Sequence, residues 1–306
     1  MIDLTPFKHL YPFDSHFLSV NGWKYHYLDE GRGEPVVMLH GNPTWSFYYR
    51  NLVQGLSDSF RAIVPDHIGC GLSEKPSPKH YGYRLKNRVD DLECFLDKLG
   101  LRDGITLVVH DWGGMIGMAY AARHPGRIRR IVVMNTAAFL KPHGKNLPIR
   151  LKIIRNLRAF AVPAVLGMNL FARGALIMAP GKKLEKDVKK GLIAPYNTWK
   201  NRMATLKFVQ DIPLVKTDPS YALAEETEKK LPLLSHVPML ILWGRHDFVF
   251  DRSYLSLWRQ RFPEAEVHLF EKAGHYILED EWRNILPIIR KFLRKNPGPK
   301  DRTKEN

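Results

Sequence analysis

Cysteine is nearly absent, with Cys70 and Cys94 the only two in 306 residues. Two thiols build no disulfide framework, so the chain has to be held by its core. The start, MIDLTPFKHLYPFDSHF, lacks the apolar stretch of a secretory leader, and the expected compartment is the cytoplasm. Internal repeats are missing, and the only low-complexity tract is the polar C-terminal tail. One stretch, AFAVPAVLGMNLFARGALIMAP (159–180), has the length of a membrane span. Arg173 and Asn169 are costly in hydrocarbon, and Pro163 kinks a spanning helix. The stretch therefore reads as helices lining an apolar tunnel, with a transmembrane helix as the minor alternative.

Acidic residues are also in short supply, 31 against 47 lysines and arginines, for a net charge of +16. A field of that sign favours nucleic acid, anionic lipid or acidic proteins. The basic clusters are RLKIIRNLR (150–158), GKKLEKDVKK (181–190) and RKFLRKNPGPKDRTKEN (290–306), and no nucleic-acid motif lies between them. Nucleic acid is thus not an expected partner. Solvated faces and a frayed tail account for the charge most simply. Attraction to a membrane surface or to an acidic protein is the sharper alternative.

What is present fits a globular enzyme, with 44% hydrophobic and 25% charged residues. Strand-like and helix-like stretches alternate, which predicts an α/β fold: a mostly parallel central sheet with helices on both faces. GWKYHYLDEG, PVVMLHG, RAIVPDHIGCG, ITLVVHD and IRRIVVMNT read as strands, and PMLILWG and EVHLFEKAG resume the pattern later. LKNRVDDLECFLDKLGL places Val89, Leu92, Phe95, Leu96 and Leu99 on one helical face, and WRNILPIIRKFLRK closes the domain as a helix. The middle is rich in helix formers and proline and breaks the rhythm. The expected division is a core of 1–138 and 237–295, an inserted helical cap at 139–236, and a basic polar tail at 296–306.

VVHDWGG (108–114) carries the chemistry. A strand that turns sharply into a helix holds its apex side chain clear of the sheet, and small neighbours permit the turn. The apex is Asp111, followed by Trp112, Gly113 and Gly114. A serine there needs a base to become nucleophilic, whereas a carboxylate of ordinary pKa, about 3.9, is already ionised. Asp111 suits attack on an sp³ carbon bearing a leaving group or a strained C–O bond. GRHDFVFD offers Asp247 and KAGHYILED offers His275, each just after a strand, in the order nucleophile, acid, histidine. Singly, such residues are more often surface or capping groups, but three so placed are hard to explain as chance. HGNPTW (40–45) adds a loop whose Asn42 N–H, with that of Trp112, forms an oxyanion hole. The Asn42 amide and the Trp112 indole N–H are candidates to hold a leaving group. Cys70 reads as a filler of a glycine loop rather than as a rival nucleophile.

From HGNPTW through HDWGG to KAGHY, the chain resembles the haloalkane dehalogenase branch of the α/β-hydrolase superfamily. The resemblance implies Asp111 as nucleophile, His275 as base, Asp247 as acid, and Asn42 and Trp112 as leaving-group stabilisers. MNTAAF holds no carboxylate near Asn135, so the acid falls on Asp247. Within that branch, HGNPTWSFYYRNL, VPDHIGCGLSEKP, HDWGGMIGM and VVMNTAAF are most similar to the β-lactone decarboxylases of long-chain olefin biosynthesis. That similarity implies conversion of a cis-3-alkyl-4-alkyloxetan-2-one into a cis-alkene and CO₂ without metal or organic cofactor. It also implies a β-lactone synthetase and the preceding reductase as partners. Attack at the ring carbon bearing oxygen and attack at the carbonyl both remain open. The rival readings are haloalkane dehalogenation, then epoxide hydrolysis, for which Tyr196 and Tyr221 are the cap tyrosines to examine. A non-catalytic binding protein on the same fold is the rival from another class.

Overall fold

The computed structural model describes residues 2–297, so the expected tail lies outside the described residues except for Asn296 and Pro297. Among the described residues, eight strands form one sheet: β1 (His16–Val20), β2 (Trp23–Glu30), β3 (Pro35–Leu39), β4 (Arg61–Pro65), β5 (Ile105–Asp111), β6 (Ile128–Thr136), β7 (Met239–Gly244) and β8 (Glu266–Phe270). Their spatial order is β1-β2-β4-β3-β5-β6-β7-β8, with β1 and β2 antiparallel and every pairing from β4 to β8 parallel. The edge strand β1 is an addition to the strands read from sequence. It joins β2 through Asn21–Gly22, both at positive φ (48° and 84°), a two-residue turn that matches the strand twist.

Alternate strand residues face opposite cores. Val37, Leu39, Leu107, Val109, Ile131, Val133 and Ile241 enter one, and Val36, Met38, Val108, Val132, Met134, Leu240 and Leu242 the other. Burial on both faces explains why these strands are continuously apolar rather than alternating in sequence. Helices α1 (Arg50–Leu56), α2 (Leu85–Lys98) and α3 (Trp112–Arg123) follow the early strands. The first core takes its apolar face from α2 and α3, including Val89, Leu92, Phe95 and Leu96.

Only helices and turns separate β6 from β7: α4 (Ile149–Asn156), α5 (Arg158–Ala161), a π-helical turn (Val162–Gly167), α6 (Leu170–Met178), α7 (Lys186–Ile193), α8 (Met203–Gln210) and α9 (Tyr221–Lys230). α9 and the turn Leu231–Leu234 pack against α3 and put Ala224, Leu231 and Leu234 into the first core, as α8 does with Ala204 and Phe208. The apolar stretch 159–180 is not one helix. Its two halves meet at 76°, and among the described residues no single helix is long and apolar enough to cross a membrane. α10 (Arg252–Arg261) and α11 (Ile277–Lys295) complete the fold. α11 begins five residues before the predicted WRNILPIIRKFLRK, because Glu279 and Asp280 in its first turn have buried work: Glu279 pairs with Arg50 at 2.6 Å, and Asp280 accepts from Gly181 N and Gly274 N.

Candidate active site

β5 ends at the C-terminal edge of the sheet, and Asp111 makes the turn into α3 with φ 51° and ψ −126°. An aspartate in that region is strained, and the strain persists only because the surroundings over-determine it. Three glycines make the turn sterically feasible. A Cβ at Gly41 would lie 2.1 Å from Asp111 Oδ1, one at Gly113 would lie 1.9 Å from Leu39 O, and one at Gly114 would lie 1.8 Å from Thr136 Oγ1. Thr136 Oγ1 in turn donates to the Asp111 carbonyl, tying the elbow to the end of β6.

The Asp111 carboxylate is buried and divided between two tasks. Oδ1 accepts from Asn42 N at 2.8 Å, and the Trp112 backbone N–H also bonds the carboxylate. Oδ2 lies 3.4 Å from His275 Nε2. His275 follows β8, and its Nδ1 donates to Asp247 Oδ2 at 2.8 Å. Asp247 follows β7, and its Oδ1 accepts from Val249 N (2.7 Å) and Phe250 N (2.9 Å). The structure thus brings Asp111, His275, Asp247, Asn42 and Trp112 together from four separate loops.

Charge follows geometry. Burial alone would raise the Asp111 carboxyl, but the His275 ring and the Trp112 N–H outweigh it and hold the group below its ordinary value. Burial likewise opposes an imidazolium at His275, yet Asp247 and Asp111 outweigh it and lift His275 to about 10. At neutral pH the resting site therefore holds an Asp111 carboxylate beside a His275 imidazolium. Esterifying Asp111 would remove one of the two charges that hold the proton on His275.

Two supporting residues carry no site signal in the sequence. Asn135, at φ 35°, donates to Asp247 Oδ2 at 2.9 Å and accepts from Gly244 N at 2.8 Å, locking the acid loop to β6. The string MNTAAF marks the position only by its lack of a carboxylate. His110, pushed down to about 3 chiefly by burial, is neutral and donates from Nε2 to His275 O at 2.8 Å, fixing the backbone of the histidine loop.

The leaving-group side of the site differs in detail from the expectation. Asn42 Nδ2 donates to Thr205 O on α8 at 3.0 Å, so one of its two hydrogens is committed to the cap, while Oδ1 is buried without a partner among the described residues. Trp112 Nε1 has no acceptor among the described residues, and the side chain lines the cavity. Its ring packs on Phe208 at 5.3 Å, and the buried Arg88 guanidinium sits 3.6 Å over the Phe208 ring and 5.6 Å from that of Trp112. The indole N–H is the freer donor of the pair. Replacing Trp112 by Phe keeps the ring and removes the donor, and kcat is expected to fall about 100-fold. Steady-state kinetics showing less than a threefold loss would remove the donor role.

Asp111, Trp112 and His275 open onto a cavity of about 390 Å³ with a mainly apolar lining. From the 159–180 stretch, Phe160, Val165, Leu170 and Phe171 are part of that lining, beside Phe248 and Tyr254 from the core. Cys70 is buried elsewhere and pushed up to about 12 by burial, which keeps it a thiol. Tyr196 donates to Thr44 O at 3.0 Å, and neither it nor Tyr221 lines the cavity.

A strand-to-helix elbow carrying the nucleophile, an acid after β7 and a histidine after β8 define a hydrolase-type catalytic scaffold. The chain belongs to the alpha/beta hydrolase fold family, whose model matches residues 34–281. Within it, the chain is 53% identical over 285 residues to a cis-3-alkyl-4-alkyloxetan-2-one decarboxylase of Shewanella oneidensis, covering 93% of this chain and 89% of that protein. A protein of the same description from Xanthomonas campestris pv. campestris is 45% identical over 278 residues, covering 89% and 92%. Haloalkane dehalogenase 2 of Mycobacterium tuberculosis is more distant, 33% identical over 293 residues with 94% and 98% covered. A solved haloalkane dehalogenase from Agrobacterium tumefaciens superposes with a TM-score of 0.83 at 23% identity, covering 93% and 97%, which supports the fold alone. The resemblance read from the motifs is borne out, with the β-lactone decarboxylases ahead of the dehalogenases.

Proposed function

We propose that this protein decarboxylates cis-3-alkyl-4-alkyloxetan-2-ones to cis-alkenes and CO₂. The observation that carries the reading is an ionised Asp111 whose Oδ1 is held by Asn42 N while Oδ2 faces an apolar cavity beside His275. The β-lactone decarboxylases at 53% and 45% identity supply the substrate class.

The steps balance without water or a redox partner. Asp111 Oδ2 attacks C4 of the lactone, the C4–O1 bond breaks, and its electron pair leaves as the carboxylate on C3. That new carboxylate lies beside the His275 imidazolium and replaces the charge Asp111 has just lost. The C3–carboxylate bond then breaks, its electrons form the C3=C4 double bond, and the Asp111 carboxylate departs from C4. An apolar cavity disfavours the substrate carboxylate and tolerates neutral CO₂, which drives the second step. Attack at C4 inverts that carbon, and anti loss of CO₂ and Asp111 then converts a cis-lactone to a cis-alkene.

In a dehalogenase the same Asp111 ester would be hydrolysed by water activated at His275. Epoxide opening is less well served, because Tyr196 is committed to Thr44 and Tyr221 lies away from the cavity. The apolar lining suits long alkyl chains, and we place the reaction in long-chain olefin biosynthesis within lipid metabolism. The expected partners are a β-lactone synthetase and a reductase of that route, in the cytoplasm. The purified protein is to be incubated separately with a cis-β-lactone, a long-chain bromoalkane and an epoxide, with alkene, halide and diol quantified. The cis-alkene is the expected product, whereas halide alone or diol alone overturns the reading. Trans-alkene from the cis-lactone would overturn inversion at C4 followed by anti loss.

A further inference from the structure

The mouth of the cavity is apolar and exposed, and the helices beside it are basic. Among the described residues, seven of the twelve exposed large apolar side chains fall between Ile149 and Met178, among them Ile149 at 67%, Ile177 at 77% and Phe160 at 52%. Phe160, Leu170, Met178 and Phe248 are both exposed and part of the cavity lining, so the patch is continuous with the tunnel. Arg150 on α4 reaches Met178 on α6, and both side chains are part of the cavity lining. A soluble monomer rarely clusters so much apolar surface unless something covers it.

Charge decides what covers it. The segment 141–184 carries nine lysines and arginines and no aspartate or glutamate. Arg155 pairs with Asp218 and Lys145 with Asp251, but Arg150, Lys152, Arg158 and Arg173 meet no carboxylate among the described residues. A second copy of the same face would bring like charges together. An anionic bilayer offers the complement in both respects, headgroup phosphates for the basic rim and acyl chains for the apolar centre.

We propose that α4, α5 and α6 form a docking face for an anionic lipid bilayer, seating the cavity mouth at the acyl boundary so that an apolar substrate enters from the membrane rather than from water. The docking itself needs only the exposed apolar and basic side chains. The route of substrate entry rests on the decarboxylase reading. The kinked 159–180 stretch, too bent to span, lies along the surface in this arrangement, with its basic neighbours facing the headgroups.

The full chain is to be sedimented with vesicles of phosphatidylcholine alone and of phosphatidylcholine mixed with phosphatidylglycerol, at low and high salt. Binding is expected to the anionic vesicles and to weaken with salt. The combined variant Lys152→Glu, Arg173→Glu and Ile177→Asp changes three residues that are not part of the cavity lining. This variant is expected to lower anionic-vesicle binding roughly tenfold or more while keeping the wild-type unfolding transition. Turnover of a short-chain, water-soluble β-lactone should be unchanged in the variant, and turnover of a long-chain lactone supplied in anionic vesicles should fall. Equal binding to both vesicle types, equal binding by the variant, or a vesicle-free dimer that the variant dissolves would each overturn the proposal. Vesicle binding requires no turnover, so loss of the decarboxylase reading alone would leave the docking result standing and remove only the entry route.

Discussion

Asp111→Asn is expected to lower β-lactone turnover by about 10⁴-fold or more, the scale on which removal of a nucleophile acts. The amide is nearly isosteric, and its oxygen can still accept from Asn42 N, which bonds Oδ1 at 2.8 Å in the native site. The elbow should therefore stay folded while the attacking electron pair is lost. The substitution also removes one of the two carboxylates that lift His275, so the histidine should titrate at lower pH than its native value of about 10. Alkene release followed by gas chromatography, with histidine titration followed by NMR, checks both effects. A variant within tenfold of native activity would end the covalent mechanism.

Asp247→Asn is expected to lower kcat by about 10³- to 10⁴-fold, through tautomer and charge rather than through packing. Asp247 Oδ1 accepts two backbone N–H groups, from Val249 and Phe250, and the amide oxygen has to take that place. The amide NH₂ then points at His275 Nδ1 and Asn135 Nδ2, both donors in the native arrangement. His275 must give up its Nδ1 proton to avoid the conflict. The pH profile carries the sign. Native turnover that uses the imidazolium should hold through neutral pH and decline as pH rises through about 10. Loss of Asp247 removes the largest contribution that raises His275, so the alkaline limb should move to lower pH. A limb that does not move would show that the protonated ring plays no part in turnover.

Much of this site is legible in the chain itself, because each piece is local to a strand end. An apolar run that stops at His-Asp-Trp-Gly-Gly says where β5 ends and which side chain stands at the apex. The same logic places Asp247 after β7 and His275 after β8. Asn135 escapes it because its role depends on where β6 and β7 end beside each other, 109 residues apart from Gly244 in the chain. The Asn42 side chain escapes for a similar reason: its partner is the Thr205 carbonyl of the cap, 163 residues away. α9 has a helical sequence like those of its neighbours between β6 and β7, and only the tertiary structure shows its packing on α3.

By itself, then, the sequence determined the strand–turn–helix elbow, the identity of the nucleophile, and the order of acid and histidine, since these follow from backbone periodicity and from the ionisation of a carboxylate. Only the tertiary structure decided which donor beside Asp111 is free, how far His275 is lifted, and where the apolar cap opens. Those properties come from groups distant in the chain whose mutual burial and charge exist only once the sheet, the loops and the cap have met.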